Sequence, residues 1–205
     1  MENLSSDAQT AGHEVASSVE QEIDIVEDWK KRIALPEMLL SLGENLERRE
    51  LQDTPERMRK AWREMLEGYT IDPEETLGQT WPAEGADIID CGKVHFTSIC
   101  EHHLLPFIGH CRIIYSVREN GEVAGLSKLA RIVDCFSRRL QIQERMCRQI
   151  AEAIMDHLKP EGVVVEAIAQ HLCCVGRGVR REHMTMRTIK RMGDKGNELI
   201  PLLGD

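Results

Sequence analysis

The sequence lacks a long apolar run, and it lacks the features of a secretory signal. No apolar stretch approaches the roughly 20 consecutive residues that a membrane-spanning helix requires. The segment from Met1 to Ala16 is acidic and Ser-rich, whereas a signal peptide has a basic region followed by an apolar one. We therefore expect neither a membrane anchor nor secretion, and we predict a cytoplasmic protein.

Positive charge is also scarce, and it is unevenly distributed. The chain has 26 Lys and Arg residues against 35 Asp and Glu residues, and the resulting net charge of −9 argues against binding of long nucleic acids. The local excess of basic residues at 177–195 suits a small polyanionic ligand, although a solvated charged tail has the same composition. Seven cysteines without a secretion signal predict free thiols and a metal site rather than disulfide bonds.

The N-terminal part of the chain predicts a leader followed by helices. Residues 1–18 are polar and show no hydrophobic periodicity, so we predict a disordered acidic leader. Residues 19–85 predict a helical N-terminal arm. Its first helix carries Ile23, Val26 and Trp29, and its second starts at Pro36 and carries Met38, Leu39, Leu42 and Leu46.

A third helix has clear signals at both ends. Thr54 is predicted as its N-cap, Pro55 occupies its first helical position and Gly68 lies near its end. Its apolar stripe predicts a packed core face rather than a cofactor site, and it consists of Met58, Trp62, Met65 and Leu66.

Residues 86–205 contain neither an internal repeat nor a long linker, so we predict one catalytic domain there. The pattern predicts strands at 86–98, 110–118, 162–174 and 183–191, and helices at 127–138 and 141–158. The order ββααββ predicts an α+β fold in which an antiparallel sheet carries two helices on one face.

Two separate segments together predict a metal site. Cys100 and His103 are three residues apart, so a thiolate and an imidazole can face one ion from a single turn. In the predicted strand ending at Cys174, alternation places His171 and Cys173 on one face, so Cys173 could complete a Cys₂His set. Three protein ligands leave a fourth position for water, which is typical of catalytic zinc. The alternatives are an ordinary polar turn, thiols that merely fill the core, or Cys174 as the ligand after a register slip.

Several segments resemble the motifs of the GTP cyclohydrolase I family. They are Asp53–Arg57, the run Cys100-Glu-His-His-Leu-Leu-Pro-Phe-Ile-Gly109, Gly125–Arg131, Arg139–Arg145, and His171-Leu-Cys173 followed by Arg177-Gly-Val179. The resemblance extends from about Leu51 to Val179. It implies the T-fold, which has the ββααββ order predicted above, and a homodecamer of two pentamers with sites built by neighbouring subunits.

The resemblance also implies a role for each matching residue. Cys100, His103 and Cys173 match the ligands of a Zn²⁺ ion, while His102, His171 and Ser127 match catalytic positions. Ser127 also belongs with Lys128, Arg131 and Arg177 among the positions that bind the triphosphate or ribose. Gln143 and Glu144 match positions that recognise the purine and sugar, with the Glu144 carboxylate accepting from guanine N–H groups. Arg139 and Arg145 lie on predicted helices, where we interpret them as partners in surface salt bridges.

The implied reaction is the hydrolysis of GTP at C8 of guanine, with release of formate and rearrangement to 7,8-dihydroneopterin triphosphate. It needs an activated water, which zinc can supply, and an acid at N7, which an imidazole can supply. Two alternatives remain open. A T-fold relative such as an NADPH-dependent nitrile reductase needs a nucleophilic cysteine, and a non-catalytic paralogue needs the metal only for stability.

Overall fold

The structure is a computed structural model that describes residues 35–204, with the backbone alone at Pro36. The predicted leader at 1–18 and the predicted helix with Ile23, Val26 and Trp29 lie outside the described residues. The chain divides into two compact units, Met1–Lys60 and Ala61–Asp205. The predicted boundaries of the leader, the arm and the catalytic domain stay predictions.

In the first unit, helix α1 is shorter than predicted. It spans Leu35–Ser41, so Leu42 and Leu46 lie beyond it. The cause is Gly43, which has a φ of +85°, a conformation that ends helices and that favours glycine. The Gly43 amide donates to the Leu40 carbonyl and the Glu44 amide donates to the Leu39 carbonyl, both at 3.0 Å, which closes the helix end.

Helix α2, Thr54–Met65, confirms the predicted third helix but not its cap. The Thr54 hydroxyl donates to the Glu50 carbonyl and accepts from the Arg57 side chain, so it satisfies no backbone amide of the helix. The Arg57 amide donates to the Asp53 carbonyl, which makes Asp53 the flanking residue. No residue of this helix is fully buried, and the predicted stripe from Met58 to Leu66 is half-buried.

The second unit contains the predicted ββααββ fold. Its main sheet has the order β5-β2-β3-β6-β7 and is antiparallel apart from the β2–β5 pair. The strands are β2 Ile88–Cys100, β3 Leu105–Ser116, β5 Leu140–Gln141, β6 Gly162–His171 and β7 Thr185–Gly193. The two helices between the strand pairs are α4, Leu126–Ser137, and α5, Gln143–Leu158.

Short elements that the pattern did not predict surround this sheet. Strands β1, Thr80–Pro82, and β4, Glu122–Ala124, pair with each other. The remaining elements are α3 Pro73–Leu77, α6 Leu172–Val175, α7 Gly196–Leu199, and 3₁₀ turns at Glu67–Thr70 and Ile200–Leu203. No helix within 35–204 is long and apolar enough to cross a membrane.

The two faces of the sheet have different covers. Alternate side chains of β3 and β6 form the main core with the apolar faces of α4 and α5, including Ile113, Val165, Ile132 and Ile150. Removing these apolar surfaces from water is the main force that holds the helices on the sheet. On the opposite face, Ile114 and Val164 are covered by Leu199 and Leu203 of the C-terminal turns.

Two predicted strand boundaries are wrong, and both matter for the site. Strand β3 begins at Leu105 rather than at 110, because the turn from β2 takes only Glu101–Leu104. Gly109 therefore lies inside β3, where a Cβ would come within 2.0 Å of the Ile168 carbonyl oxygen. Strand β6 ends at His171 rather than at Cys174, because the next residues form the helical turn α6.

Candidate active site

The turn after β2 brings one thiol and two imidazoles together. Cys100 is the last residue of β2 and is only 5% exposed. The Leu104 amide donates to the Cys100 carbonyl at 2.8 Å and closes the turn. The Nδ1 atoms of His102 and His103 each lie 3.8 Å from Cys100 Sγ, and both imidazoles are exposed.

Helix α6 adds the second thiol. The ligand atoms of Cys100, His171 and Cys173 all lie within 4.8 Å of one another. In a tetrahedral site, Zn–S bonds of about 2.3 Å and Zn–N bonds of about 2.0 Å place ligand atoms roughly 3.5 Å apart. This group of two sulfurs and one nitrogen therefore fits a soft divalent cation, and zinc is compatible with it.

The composition of this group differs in part from the sequence expectation. Cys173 belongs to it and Cys174 does not, although the predicted reason, alternation along a strand, is wrong because both residues lie in a helical turn. His171 was expected beside the metal but not bound to it, with His103 as the ligand. The structure places His171 in the group and leaves His103 within reach of Cys100 alone.

The His171 ring is held on two sides. Phe107 stacks on it in parallel, with ring centroids 4.6 Å apart and an interplanar angle of 1°. His171 Nε2 lies 3.0 Å from Oε1 of Gln143, the first residue of α5. Burial lowers the pKa of His171, and the negative charge of Glu144 opposes that shift. Phe107 belongs to the motif after Cys100, but its contact with the imidazole could not be inferred from the sequence.

Electrostatics at the thiols favour a cation. Burial, followed by the neighbouring Cys100, raises the pKa of Cys173 to about 11. The Cys173 thiol thus keeps its proton, whereas a coordinating cation deprotonates a thiol outright. A divalent cation between the two sulfurs would therefore favour the thiolate form of these side chains over the thiol form.

The residues predicted for the substrate divide into two groups. Glu144 is exposed in the first turn of α5 and acts on His171 electrostatically, and Arg177 is exposed just after α6. Gln143, in contrast, is 1% exposed, and its amide is bonded inside the protein. The other group consists of Ser127, Lys128 and Arg131 at the start of α4.

This second group is not brought to the thiols. The far end of α4 leads into β5, where Gln141 pairs with Cys100. At 1.5 Å per residue, the helix places Ser127 about 15 Å from its last residue, Ser137. Within residues 35–204, no side-chain hydrogen bond or ion pair connects Ser127, Lys128 or Arg131 to the group of Cys100, His171 and Cys173.

One ion pair of the site involves Arg145, which the sequence analysis interpreted as a salt-bridge partner but did not place at the site. Arg145 of α5 binds Glu101 through two hydrogen bonds of 2.6 and 2.8 Å. The Arg145 hydrogen bond lowers the pKa of Glu101, so the pair is charged. It fastens the turn that carries His102 and His103 to the helix that carries Gln143. Both partners lie in motifs that resemble those of the family, and this signal in the sequence could have placed the ion pair at the site.

Comparisons with known proteins agree on one family. The profile of the family described as GTP cyclohydrolase I matches residues 32–198. A protein of Desulforamulus reducens named GTP cyclohydrolase 1 is 46% identical over 147 residues, which cover 72% of this chain and 78% of that protein. The GTP cyclohydrolase 1 of Wolinella succinogenes is 43% identical over 163 residues, which cover 77% and 86%. A Pseudomonas syringae pv. tomato protein named GTP cyclohydrolase 1 1 is 44% identical over 158 residues, which cover 77% and 83%.

Proposed function

This chain belongs to the GTP cyclohydrolase I family, and from that premise we propose that it converts GTP to 7,8-dihydroneopterin triphosphate. The reaction opens the imidazole ring of guanine at C8, releases formate and rearranges the remaining product. The observation that carries the proposal is the group of Cys100, His171 and Cys173, because it brings two thiols that can bind a metal next to an imidazole.

Cys100, Cys173 and His103 are the proposed ligands of a Zn²⁺ ion. Two thiolates and an imidazole are a donor set that zinc prefers, and His103 Nδ1 lies 3.8 Å from Cys100 Sγ, a separation suited to a shared ion. When bound, zinc lowers the pKa of a coordinated water from 15.7 to about 7 and so supplies a nucleophile at neutral pH. In this assignment His171 stays uncoordinated, as the resemblance implies, and Phe107 and Gln143 hold its ring beside the ion.

His102 and His171 are the proposed proton-transfer residues. Attack at C8 places negative charge on the imidazole ring of guanine, so a proton must reach N7. A histidine with a pKa near 6.5 can give and take a proton at neutral pH, and such a group accelerates a reaction by about 10²–10⁴-fold. We assign Ser127 to the catalytic residues as well, at the ribose and triphosphate end.

The substrate is proposed to lie between the two groups of polar residues. The exposed Glu144 carboxylate next to His171 accepts from the N–H groups of guanine. Arg131 and Arg177 bind the triphosphate through forked hydrogen bonds, and Lys128 binds it as a compact charge.

We also propose a ring-shaped homo-oligomer, a decamer of two pentamers, located in the cytoplasm. The distance along α4 between Ser127 and the thiols supports sites that are completed by a neighbouring copy. All seven cysteines are free, which supports a reducing compartment.

Turnover of GTP by the purified protein tests the proposed function. Formation of a fluorescent pterin is followed for the wild type, Cys173→Ser and Cys174→Ser, and zinc content is measured on the same samples. We expect the wild type and Cys174→Ser to bind stoichiometric zinc and turn over GTP, and Cys173→Ser to lose both properties. A zinc-loaded wild type without turnover would instead indicate a non-catalytic, metal-stabilised scaffold.

A further inference from the structure

Gln143 is the most completely bonded polar side chain near the site. Its amide nitrogen Nε2 lies 2.9 Å from the Ala167 carbonyl oxygen, 2.9 Å from the Met186 carbonyl oxygen and 3.1 Å from Thr188 Oγ1. Its Oε1 lies 3.0 Å from His171 Nε2. Both ends of the amide are therefore engaged by β6, β7 and the imidazole.

These contacts decide the orientation of the amide. Carbonyl oxygens only accept hydrogen bonds, so the end of Gln143 that faces Ala167 and Met186 must be the NH₂ group. The opposite end is then the amide oxygen, which only accepts. His171 Nε2 must therefore carry the hydrogen and donate it to Gln143.

The orientation of Gln143 in turn decides the state of the imidazole. A neutral imidazole has one N–H nitrogen and one nitrogen with a lone pair. Since Nε2 carries the hydrogen, the lone pair belongs to Nδ1. The parallel Phe107 ring, at a centroid distance of 4.6 Å, restricts the ring flip that would place Cε1 instead of Nε2 opposite Gln143.

We infer that Gln143 is a positioning residue, which fixes His171 in its Nε2–H tautomer and makes Nδ1 the nitrogen that exchanges a proton with the substrate. The resemblance implied a contact between Gln143 and the purine or sugar. At 1% exposure, with its amide nitrogen bonded to β6 and β7 and its oxygen facing His171, the side chain has no free N–H group and almost no surface for a ligand. This inference rests on the proposed function, because it concerns the histidine that we assign to proton transfer.

Separate measurements of kcat and of GTP affinity distinguish a positioning role of Gln143 from direct binding of the substrate. Gln143→Met keeps the length of the side chain but removes its hydrogen bonds. We expect its kcat to fall by about 10- to 100-fold, a part of the 10²–10⁴-fold that a well-positioned proton-transfer group contributes. Its equilibrium affinity for GTP should stay within about 3-fold of the wild type. The matched control Arg148→Met, at an exposed position of the same helix, should change neither value.

Two further variants exclude a merely structural effect. Gln143→Asn keeps the amide but shortens the side chain, so it should lose the contact with His171 and lower kcat as Gln143→Met does; it also serves if the methionine variant fails to fold. In a His171→Ala background, Gln143→Met should lower kcat no further, because the two residues act as one unit. Additive losses, or a more than 10-fold loss of GTP affinity with an unchanged kcat, would overturn the inference.

The ring nitrogens give a readout that needs no turnover. A ¹⁵N correlation spectrum, with His171 assigned by comparison with His171→Ala, should show hydrogen on Nε2 in the wild type and a tautomer mixture in Gln143→Met. Hydrogen on Nδ1 of the wild type would refute the inference even if GTP is turned over. The expected spectrum from a protein that does not turn over GTP would leave the assigned tautomer intact and refute only the proposed function.

Discussion

Three imidazoles lie around the two buried thiols, and their surroundings differ. His171 is partly buried, stacked on Phe107 and bonded to Gln143, so its position is set before any ligand arrives. His102 and His103 are exposed on a four-residue turn, and each can approach Cys100. A proton-transfer residue profits from being held in advance, and hydrogen bonds orient metal-bound imidazoles in the same way. We propose His103 as the ligand and His171 as the proton carrier because the resemblance implies these roles.

Zinc content of three alanine variants tests that assignment. His103→Ala should lose stoichiometric zinc together with activity, because it removes one of three ligands. His102→Ala and His171→Ala should keep zinc and bind GTP, but they should turn over at least ~10²-fold slower. Metal analysis and GTP turnover are measured on the same preparations. If His171→Ala loses the zinc and His103→Ala keeps it, the third ligand is His171.

Glu144 and Arg177 are proposed to bind opposite ends of the substrate. Glu144→Gln should weaken the binding of both guanosine and GTP, because a neutral amide cannot accept charge-assisted bonds from both guanine N–H donors. Arg177→Ala should weaken the binding of GTP mainly, because guanosine has no phosphate. Affinities are measured by titration of each ligand into each variant. Equal losses for both ligands in both variants would contradict this division of roles.

At the scale of elements, the sequence predicted the order of long strands and helices but not how they end. Leu172–Val175 is apolar and contains no Gly or Pro, so it continues the pattern of β6 although it folds as a helical turn. The predicted strand at 110–118 left out Pro106 and Gly109, yet both lie within β3. The periodicity of α4 and α5 fixes their buried faces, whereas the stacking of Phe107 on His171 depends on strand register, which local sequence does not specify.

An ion pair between β2 and β3 should make stability depend on pH. Arg112 binds both carboxylate oxygens of Asp90 and also donates to the Leu203 carbonyl. The hydrogen bond from Arg112 lowers the pKa of Asp90, and burial opposes this in part. Since the folded-state pKa lies below the unfolded one, the stabilisation is complete above the unfolded value of about 3.9 and is lost as the pH falls through the folded value.

Asp90→Asn should therefore lower the free energy of unfolding at pH 7 and have little effect at pH 2–3. The loss should be about 1 kcal/mol or less, because both side chains are partly exposed to solvent. Urea midpoints at the two pH values measure it. Glu119→Gln is the control, an exposed carboxylate without an ion-pair partner among residues 35–204. A loss for Asp90→Asn that is equally large at both pH values would show that the pair contributes through its shape rather than through its charge.

At the scale of the whole molecule, the sheet has unsatisfied edges. β5 pairs only with Ile99 and Cys100, so the rest of that side of β2 has no partner strand within the described residues. β7 is the other edge, and its outer side is also unpaired within 35–204. Exposed edges invite pairing with another chain, and closing such sheets into a ring removes both edges at once. The motifs supply the proposed residues of the site, and in the proposed ring a single sequence does not say which copy supplies each one.

We expect an assembly of roughly 200–250 kDa from the 23.3 kDa chain, as ring closure into a decamer requires.

The separation of Arg131 from the thiols predicts that two neighbouring copies complete one site. His102→Ala and Arg131→Ala, each inactive alone, should regain activity when co-assembled, because some sites then combine an intact thiol end with an intact α4 start. His102→Ala with Arg177→Ala is the matched control and should stay inactive, since both residues lie at the thiol end of one chain. Light scattering gives the mass and GTP turnover gives the rescue. A fully active monomer would contradict the ring. Rescue of the control pair alone would indicate that a neighbouring copy supplies Arg177 rather than Arg131.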